Sequence, residues 1–250
     1  MALRRIIGSI FTRGPLAVQS IAFRQHLPIG DPVVIAEAFD QWQADEIVLA
    51  DITASGEGRM ISPELLKRAT KVLRTPLTVG GGIRTTQQVE MLLREGADRI
   101  FVNTLARLKN GFVQEAARIF GSQCIVGWVD VLNTGGKLAV YDHLTRQSLP
   151  LTPVEWMREL EDAGIGEIIL HAVHADGAMQ GFDCELAALA ANTHIPVIIS
   201  GGAGNAAHFE QVFSQTAVAG ACAGNLFAHS ECAISEIKRQ IQSTAIRALL

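Results

Sequence analysis

The chain has little surplus charge of either sign. Its 21 Lys and Arg stand against 25 Asp and Glu, a net charge of −4 with a pI near 6.0. Nucleic-acid binding calls for a basic face, and this balance implies none. No apolar run approaches the roughly 20 residues that cross a bilayer, so no membrane partner is expected. The start Met1-Ala2-Leu3-Arg4-Arg5-Ile6-Ile7 is briefly basic and then apolar. Ser9, Thr12 and Arg13 interrupt that run and no clean cleavage site follows, so it reads as a first strand rather than a signal peptide. Cysteine is scarce too. Cys124, Cys184, Cys222 and Cys232 form no Cys-x-x-Cys pair, which argues against a metal site; no cofactor is expected either. Cys124 and Cys222 fall in predicted strands as small core residues, and a reducing cytoplasm suits them.

What the chain does have is length and apolar content: 250 residues, 48% of them hydrophobic, enough for a large core. Strand and helix patterns alternate along it. Strands are predicted at Arg5–Phe11, Glu46–Asp51, Pro76–Val79, Arg99–Val102, Cys124–Asp130, Glu167–His171, Pro196–Ser200 and Val218–Ala223. Between them, Asp31 caps a helix with Pro32 at its first position and an apolar face of Val34, Ile35, Ala38, Phe39 and Trp42. Ser62-Pro63 opens a second helix, and Thr85 with Gln88 forms a capping box for a third. Phe112–Phe120 is a fourth. Thr152, Pro153 and Glu155 open another, Leu186 and Leu189 mark one more, and Asn205 caps the next. Val131–Leu151 is a longer excursion that turns at Gly135-Gly136 as a hairpin, and the tail after His229 reads as helical.

The pattern repeats. Pro32 and Pro153, Glu46 and Glu167, Glu64 and Glu185, and Gly80 and Gly201 are each 121 residues apart. Eight βα units in two matching halves predict an α/β fold, a single (β/α)8 TIM barrel spanning residues 1–250, with half repeats of about 1–121 and 122–250. An open doubly wound sheet is the alternative, and it predicts no such register.

In a barrel of this kind ligands meet the C-terminal ends of the strands. Two glycine stretches lie there in register, Thr78-Val79-Gly80-Gly81-Gly82-Ile83 and Ser200-Gly201-Gly202-Ala203-Gly204. Asn103-Thr104 follows the fourth strand and Gly224-Asn225 the eighth. Free N–H groups beside a short polar side chain suit phosphate oxygens, although glycines also serve tight turns. The doubled cradle points to a ligand with two phosphates. Asp130 ends the fifth strand and is the candidate acid or base, provided burial raises its pKa. Asp51 and Asp176-Gly177 share this rim, with Asp176 placed to orient the second phosphate loop. At the other end, Arg5, Glu46, Arg99 and Glu167 each start a strand, and two charges of each sign there can close into a ring. Ordinary surface ion pairs are the alternative.

With these residues in view, the chain resembles the cyclase subunits of imidazole-glycerol-phosphate synthase, the HisF family of histidine biosynthesis. Further matching segments are Arg5-Ile6-Ile7, Gly30-Asp31-Pro32, Asp51-Ile52-Thr53-Ala54-Ser55, Gly96-Ala97-Asp98 and Phe120-Gly121-Ser122-Gln123, so the resemblance covers nearly the whole chain. It implies a nucleotide-derived substrate with a phosphate at each end and a glutaminase subunit docked on the barrel floor. Ammonia then passes through the barrel. Arg5, Glu46, Arg99 and Glu167 match the family's charged gate, with Arg99 where a lysine is usual, and Asp98 matches a residue at the partner interface.

Departures from the family pattern are selective. The family's acid/base pair is two aspartates. Asp130 matches one, and Phe11 occupies the position of the other. Gln19 replaces the first loop's usual lysine. His171 and His174 stand where the family has smaller or acidic residues, and either is a candidate replacement acid or base. This combination implies a divergent member with weak or absent ring-closing activity. By analogy, such a subunit relays ammonia to a third, ATP-dependent amidotransferase in surface-polysaccharide (lipopolysaccharide) biosynthesis. A functional cyclase of histidine biosynthesis is the first alternative. A sugar-phosphate isomerase on the related barrel is the second, disfavoured because that relative also needs a carboxylate in each half.

Overall fold

Inward and outward side chains alternate along each of eight parallel strands, and this alternation divides the protein into an inner and an outer core. The computed structural model describes residues 3–103, 111–229, 234–241 and 246. Its barrel strands run Arg5–Arg13, Glu46–Asp51, Leu77–Gly80, Arg99–Val102, Ile125–Thr134, Glu167–Ala172, Val197–Ser200 and Gly220–Ala223. Each pairs in parallel with the next. The eighth pairs with the first through Arg5 opposite Gly220, which closes the sheet. The architecture is a (β/α)8 TIM barrel.

The helices alternate with the strands and bury one face each. Asp31 caps Pro32–Gln41 by accepting from Val33 N, and the buried face is Pro32, Val33, Ala36 and Phe39. The periodicity places Val34 inside, but it is exposed; the helix turns to set Phe39 against the first strand. There Gly8 leaves room, since a Cβ at that position would lie 2.4 Å from the Phe39 ring. Thr152 and Glu155 form the predicted reciprocal capping box. Thr85 caps its helix through Gln88 N, whereas the Gln88 side chain accepts from Arg84 N, one residue earlier than a capping box requires. Cys124 lies in a short 3-10 turn, Ser122–Cys124, rather than in a strand, while Cys222 sits in the eighth strand. The tail is helical over Ile234–Gln240. Cys232 and Thr104 lie outside the described residues.

Contacts recur between the halves at an offset of 120 or 121 residues. Ile47 N donates to Pro76 O at 2.9 Å, and Ile168 N donates to Pro196 O at 3.0 Å. Ile61 N meets Gly81 O at 2.8 Å as Gly181 N meets Gly202 O at 2.7 Å. The halves differ in their excursions. In the first, the strand continues past Phe11 to Arg13 and folds back through an unpredicted hairpin of Leu16–Ile21 and Gln25–Gly30. In the second, the fifth strand extends to Thr134 and pairs with Lys137–Asp142, the expected hairpin. Both stand over the C-terminal end of the barrel. No helix among the described residues is long and apolar enough to cross a membrane.

Candidate functional site

At the N-terminal end of the barrel, Arg5, Glu46, Arg99 and Glu167 meet in a closed ring. Arg5 pairs with Glu46 at 3.1 Å and with Glu167, and Arg99 pairs with both glutamates as well. Strand register produces this, because each residue is inward-facing at the first turn of its strand. Thr78 Oγ1 donates to Glu46 Oε1 at 2.5 Å, adding the third strand to the group. Burial pushes the Glu46 carboxyl up, against the opposing pull of Arg99, Thr78 and Arg5. Burial works against the Arg5 charge as well, but the Glu167 hydrogen bond and both glutamate charges leave its pKa raised. Asp98 lies at the same end, exposed, with Oδ2 accepting from Leu77 N at 2.8 Å.

Above the ring the barrel interior is apolar: Ile7, Val48, Val126, Ile169, Ile198 and Cys222. Burial pushes the Cys222 thiol up to about 12. Next comes an aromatic layer. Phe101 and Trp128 rings lie 5.0 Å apart, Trp128 and His171 5.6 Å apart, and Phe11 meets Trp128 edge-on at 6.1 Å. Phe101 fits because the third strand ends in Gly80, where a Cβ would be 2.6 Å from its ring.

A cavity of about 650 Å³ opens over this layer. Gly81, Gly82 and Asn103 line one wall, and Arg13, Arg24, Arg84 and Arg146 stand around it. Among the described lining residues Asp51 and Asp130 are the only carboxylates. Asp51 is turned to its own loop: it pairs with Arg59 at 2.5 Å and accepts from Thr53 N and Ala54 N. Asp130 is 2% exposed and accepts from Trp128 Nε1 at 2.9 Å and Asn103 Nδ2 at 2.8 Å. His143 Nδ1 lies 3.3 Å from its Oδ2. Burial alone would raise this carboxyl, as the sequence reading required. The hydrogen bond and charge of His143, with His171 and Asn103, outweigh burial and hold it below the ordinary carboxylate range. Asp130 is therefore held as an ionised acceptor, the base form of the candidate acid or base rather than a carboxyl kept protonated by burial.

The second glycine loop has a different setting. Gly201, Gly202, Gly224, Asn225, Asp176 and Gly177 surround a pocket of only about 40 Å³. The hairpin of residues 16–30 is docked over it. Asp176 Oδ2 accepts from Ser20 Oγ at 2.6 Å and Phe23 N at 3.1 Å, and Asn225 Nδ2 donates to Ser20 O at 2.7 Å. Both loops need their glycines for the fold itself. A Cβ on Gly82 would come 1.8 Å from Arg59 O, and one on Gly202 would come 2.0 Å from Gly181 O.

The two histidines singled out from sequence have separate positions. His174 accepts from Asn133 N at Nδ1 and lies 3.1 Å from Asp183 through Nε2, bracing the loop after the sixth strand. His171 is 1% exposed, with Nδ1 3.0 Å from Ser200 Oγ. His143, which the sequence reading passed over, is the histidine beside Asp130. Its position depends on the hairpin register, in which Val131 faces Val140 and the chain returns over the fifth strand. Gln19 lies in the docked hairpin opposite Leu27.

A closed parallel barrel with a ring of charges at its floor and a cavity ringed by arginines at its C-terminal face defines the protein as a (β/α)8 barrel with a small-molecule-sized site at the end where such barrels hold ligands. Residues 5–233 match the model of the family described as histidine biosynthesis protein, and the chain belongs to that family. It is 39% identical over 251 aligned positions to the putative imidazole glycerol phosphate synthase subunit hisF2 of Vibrio vulnificus, covering 98% of this chain and 91% of that protein. It is 38% identical to the imidazole glycerol phosphate synthase subunit HisF of Geobacillus thermodenitrificans, covering 98% and 99%.

Proposed function

We propose that this chain is a HisF-like synthase subunit. It receives ammonia from a glutaminase partner at the floor, passes it through the barrel and binds a bis-phosphate ligand at the C-terminal face. The observation that carries this reading is the ring of Arg5, Glu46, Arg99 and Glu167, set opposite the cation-lined cavity on one barrel. A buried ring of four charges is a poor device for stability, since desolvation offsets much of the attraction. It suits a polar gate. Asp98 at the same end belongs to the partner's docking surface. Gly81, Gly82, Asn103 and Thr104 hold one phosphate; Asp176, Gly177, Gly201, Gly202, Gly224 and Asn225 hold the other once the hairpin moves.

Phe11 sets the level of activity. It places an apolar ring where the family resemblance implies a carboxylate, and loss of one general acid or base commonly lowers a rate by about 10²–10⁴. Ring closure is therefore slow, and the subunit serves chiefly as a relay, with a third ATP-dependent amidotransferase of polysaccharide modification as the acceptor. The family match favours the second reading, a working cyclase of histidine biosynthesis. The test is turnover of the family's bis-phosphate substrate with ammonium salt, read as imidazole-glycerol phosphate formed. Rates within the common enzymatic range of about 1–10³ per second remove the relay reading. Rates far below it support that reading.

A further inference from the structure

Asp130 is the member that remains of the acid/base pair the resemblance implies, and its surroundings make it an acceptor. Trp128, Asn103 and His143 converge on its two oxygens at 2.9, 2.8 and 3.3 Å. A carboxylate so held does not easily take a proton, but it is well suited to orient an imidazole and stabilise its charged form. His143 directly follows the return strand of the second-half hairpin, in the turn that leads to Gln147–Ser148, where Asp142 Oδ1 accepts from Leu144 N at 2.9 Å. That bond fixes the backbone on both sides of the histidine. The ring lines the large cavity, with its side chain 22% exposed.

The geometry points to His143 as the proton-transfer residue of this site, with Asp130 as its positioning carboxylate, in place of a pair of acids. The inference rests on the functional reading above and concerns the ring-closing activity that it leaves, slow or full, taken as addition of ammonia to a carbonyl of the bound ligand. As the ammonia nitrogen bonds to the carbonyl carbon, the C=O π pair moves onto oxygen. His143 takes the proton from the new ammonium centre and returns it to that oxygen, and Asp130 stays ionised throughout. An imidazole suits this exchange because its ordinary pKa lies near neutrality. The other charged and titratable groups facing this region are His171 and Tyr141 beside the aromatic layer, Arg146 in the same turn, Asp51 and Arg84 from the loops after the second and third strands, and Arg13, Arg24 and His26 from the opposite hairpin. Phe11 contributes an apolar wall.

Two measurements on the full chain test the pair. The first is 15N-resolved NMR of the His143 imidazole, compared between wild type and Asp130→Asn. The expected result is a changed Nδ1 shift on loss of the carboxylate charge; an unchanged one overturns the pairing. The second is ammonium-dependent turnover of the bis-phosphate substrate by wild type and His143→Gln, with substrate binding followed by calorimetry. The expected result is a kcat lowered by about 10²-fold or more with KM nearly unchanged, and loss of the acidic limb of the pH–rate profile. Full activity in His143→Gln, a change in KM alone, or wild type that binds the substrate without any turnover overturns the inference. Failure to bind the substrate counts against the functional reading instead, and the NMR comparison then decides the pair by itself.

Discussion

The Phe11 ring meets the His171 imidazole edge-on, with centroids 5.9 Å apart. Both residues come from strand ends on opposite sides of the barrel mouth, and together with Trp128 and Phe101 they roof the interior. Position 11 thus contributes packing where the family resemblance implies charge. Replacing Phe11 with Asp is expected to raise ring-closing turnover by at least tenfold while lowering stability by about 1–3 kcal/mol, because a carboxylate then sits against aromatic rings. Urea unfolding and the ammonium assay on one preparation measure both effects. A gain in stability with no gain in rate counts against this account of Phe11.

Glu167 carries two of the four ion pairs in the floor ring. Glu167→Gln leaves Arg5 and Arg99 facing a single carboxylate, and removing one partner from a buried pair costs about 3–5 kcal/mol. The same change is expected to lower glutamine-dependent turnover more than ammonium-dependent turnover, since free ammonium can reach the upper cavity directly. Equal loss of both would mean that the ring serves folding alone.

The pH dependence of stability follows from two carboxyls shifted in opposite directions. Asp130 is held below the ordinary range, so its contribution to stability is complete above about pH 4 and is lost as pH falls through its lowered value. Glu46 is raised by burial, so its contribution is complete below about pH 4 and declines as pH rises through the raised value. Asp130→Asn is therefore expected to flatten the fall in unfolding free energy between about pH 4 and pH 2. A series of urea titrations across that interval reads the slope.

Asp176 ties the first-half hairpin down through Ser20 and Phe23. Asp176→Ala leaves these donors without their acceptor and is expected to cost about 1–3 kcal/mol locally. Amide hydrogen exchange over residues 20–24 should quicken while the barrel strands keep their protection. Protection unchanged in that hairpin would show that its docking has another source.

Much of this arrangement was legible in the sequence where local chemistry and strand periodicity agree. Glu46, Arg99 and Glu167 begin their strands as read, and the 121-residue offset places Glu46 and Glu167 in equivalent positions. The helix caps at Asp31, Thr152 and Asn205 followed from side-chain type and spacing. The hairpin of residues 16–30 was hidden because Gln25–Gly30 is largely exposed and contains Pro28, so it shows neither alternation nor an apolar run. His143 was hidden for a different reason. Only the pairing of Lys137–Asp142 with the end of the fifth strand carries it back to Asp130, and that register is a tertiary fact. The unequal room at the two glycine loops also escaped the sequence, because it depends on how the first hairpin docks.

The most direct test of the central claim follows nitrogen itself. A complex of this chain with a HisH-type glutaminase is given amide-15N glutamine, the bis-phosphate substrate and an excess of unlabelled ammonium at a pH where little free ammonia is present. Passage through the barrel predicts product carrying 15N in spite of the unlabelled pool, and loss of that preference in Glu167→Gln. Product drawn from the unlabelled pool by wild type would contradict a route from the floor ring to the upper cavity.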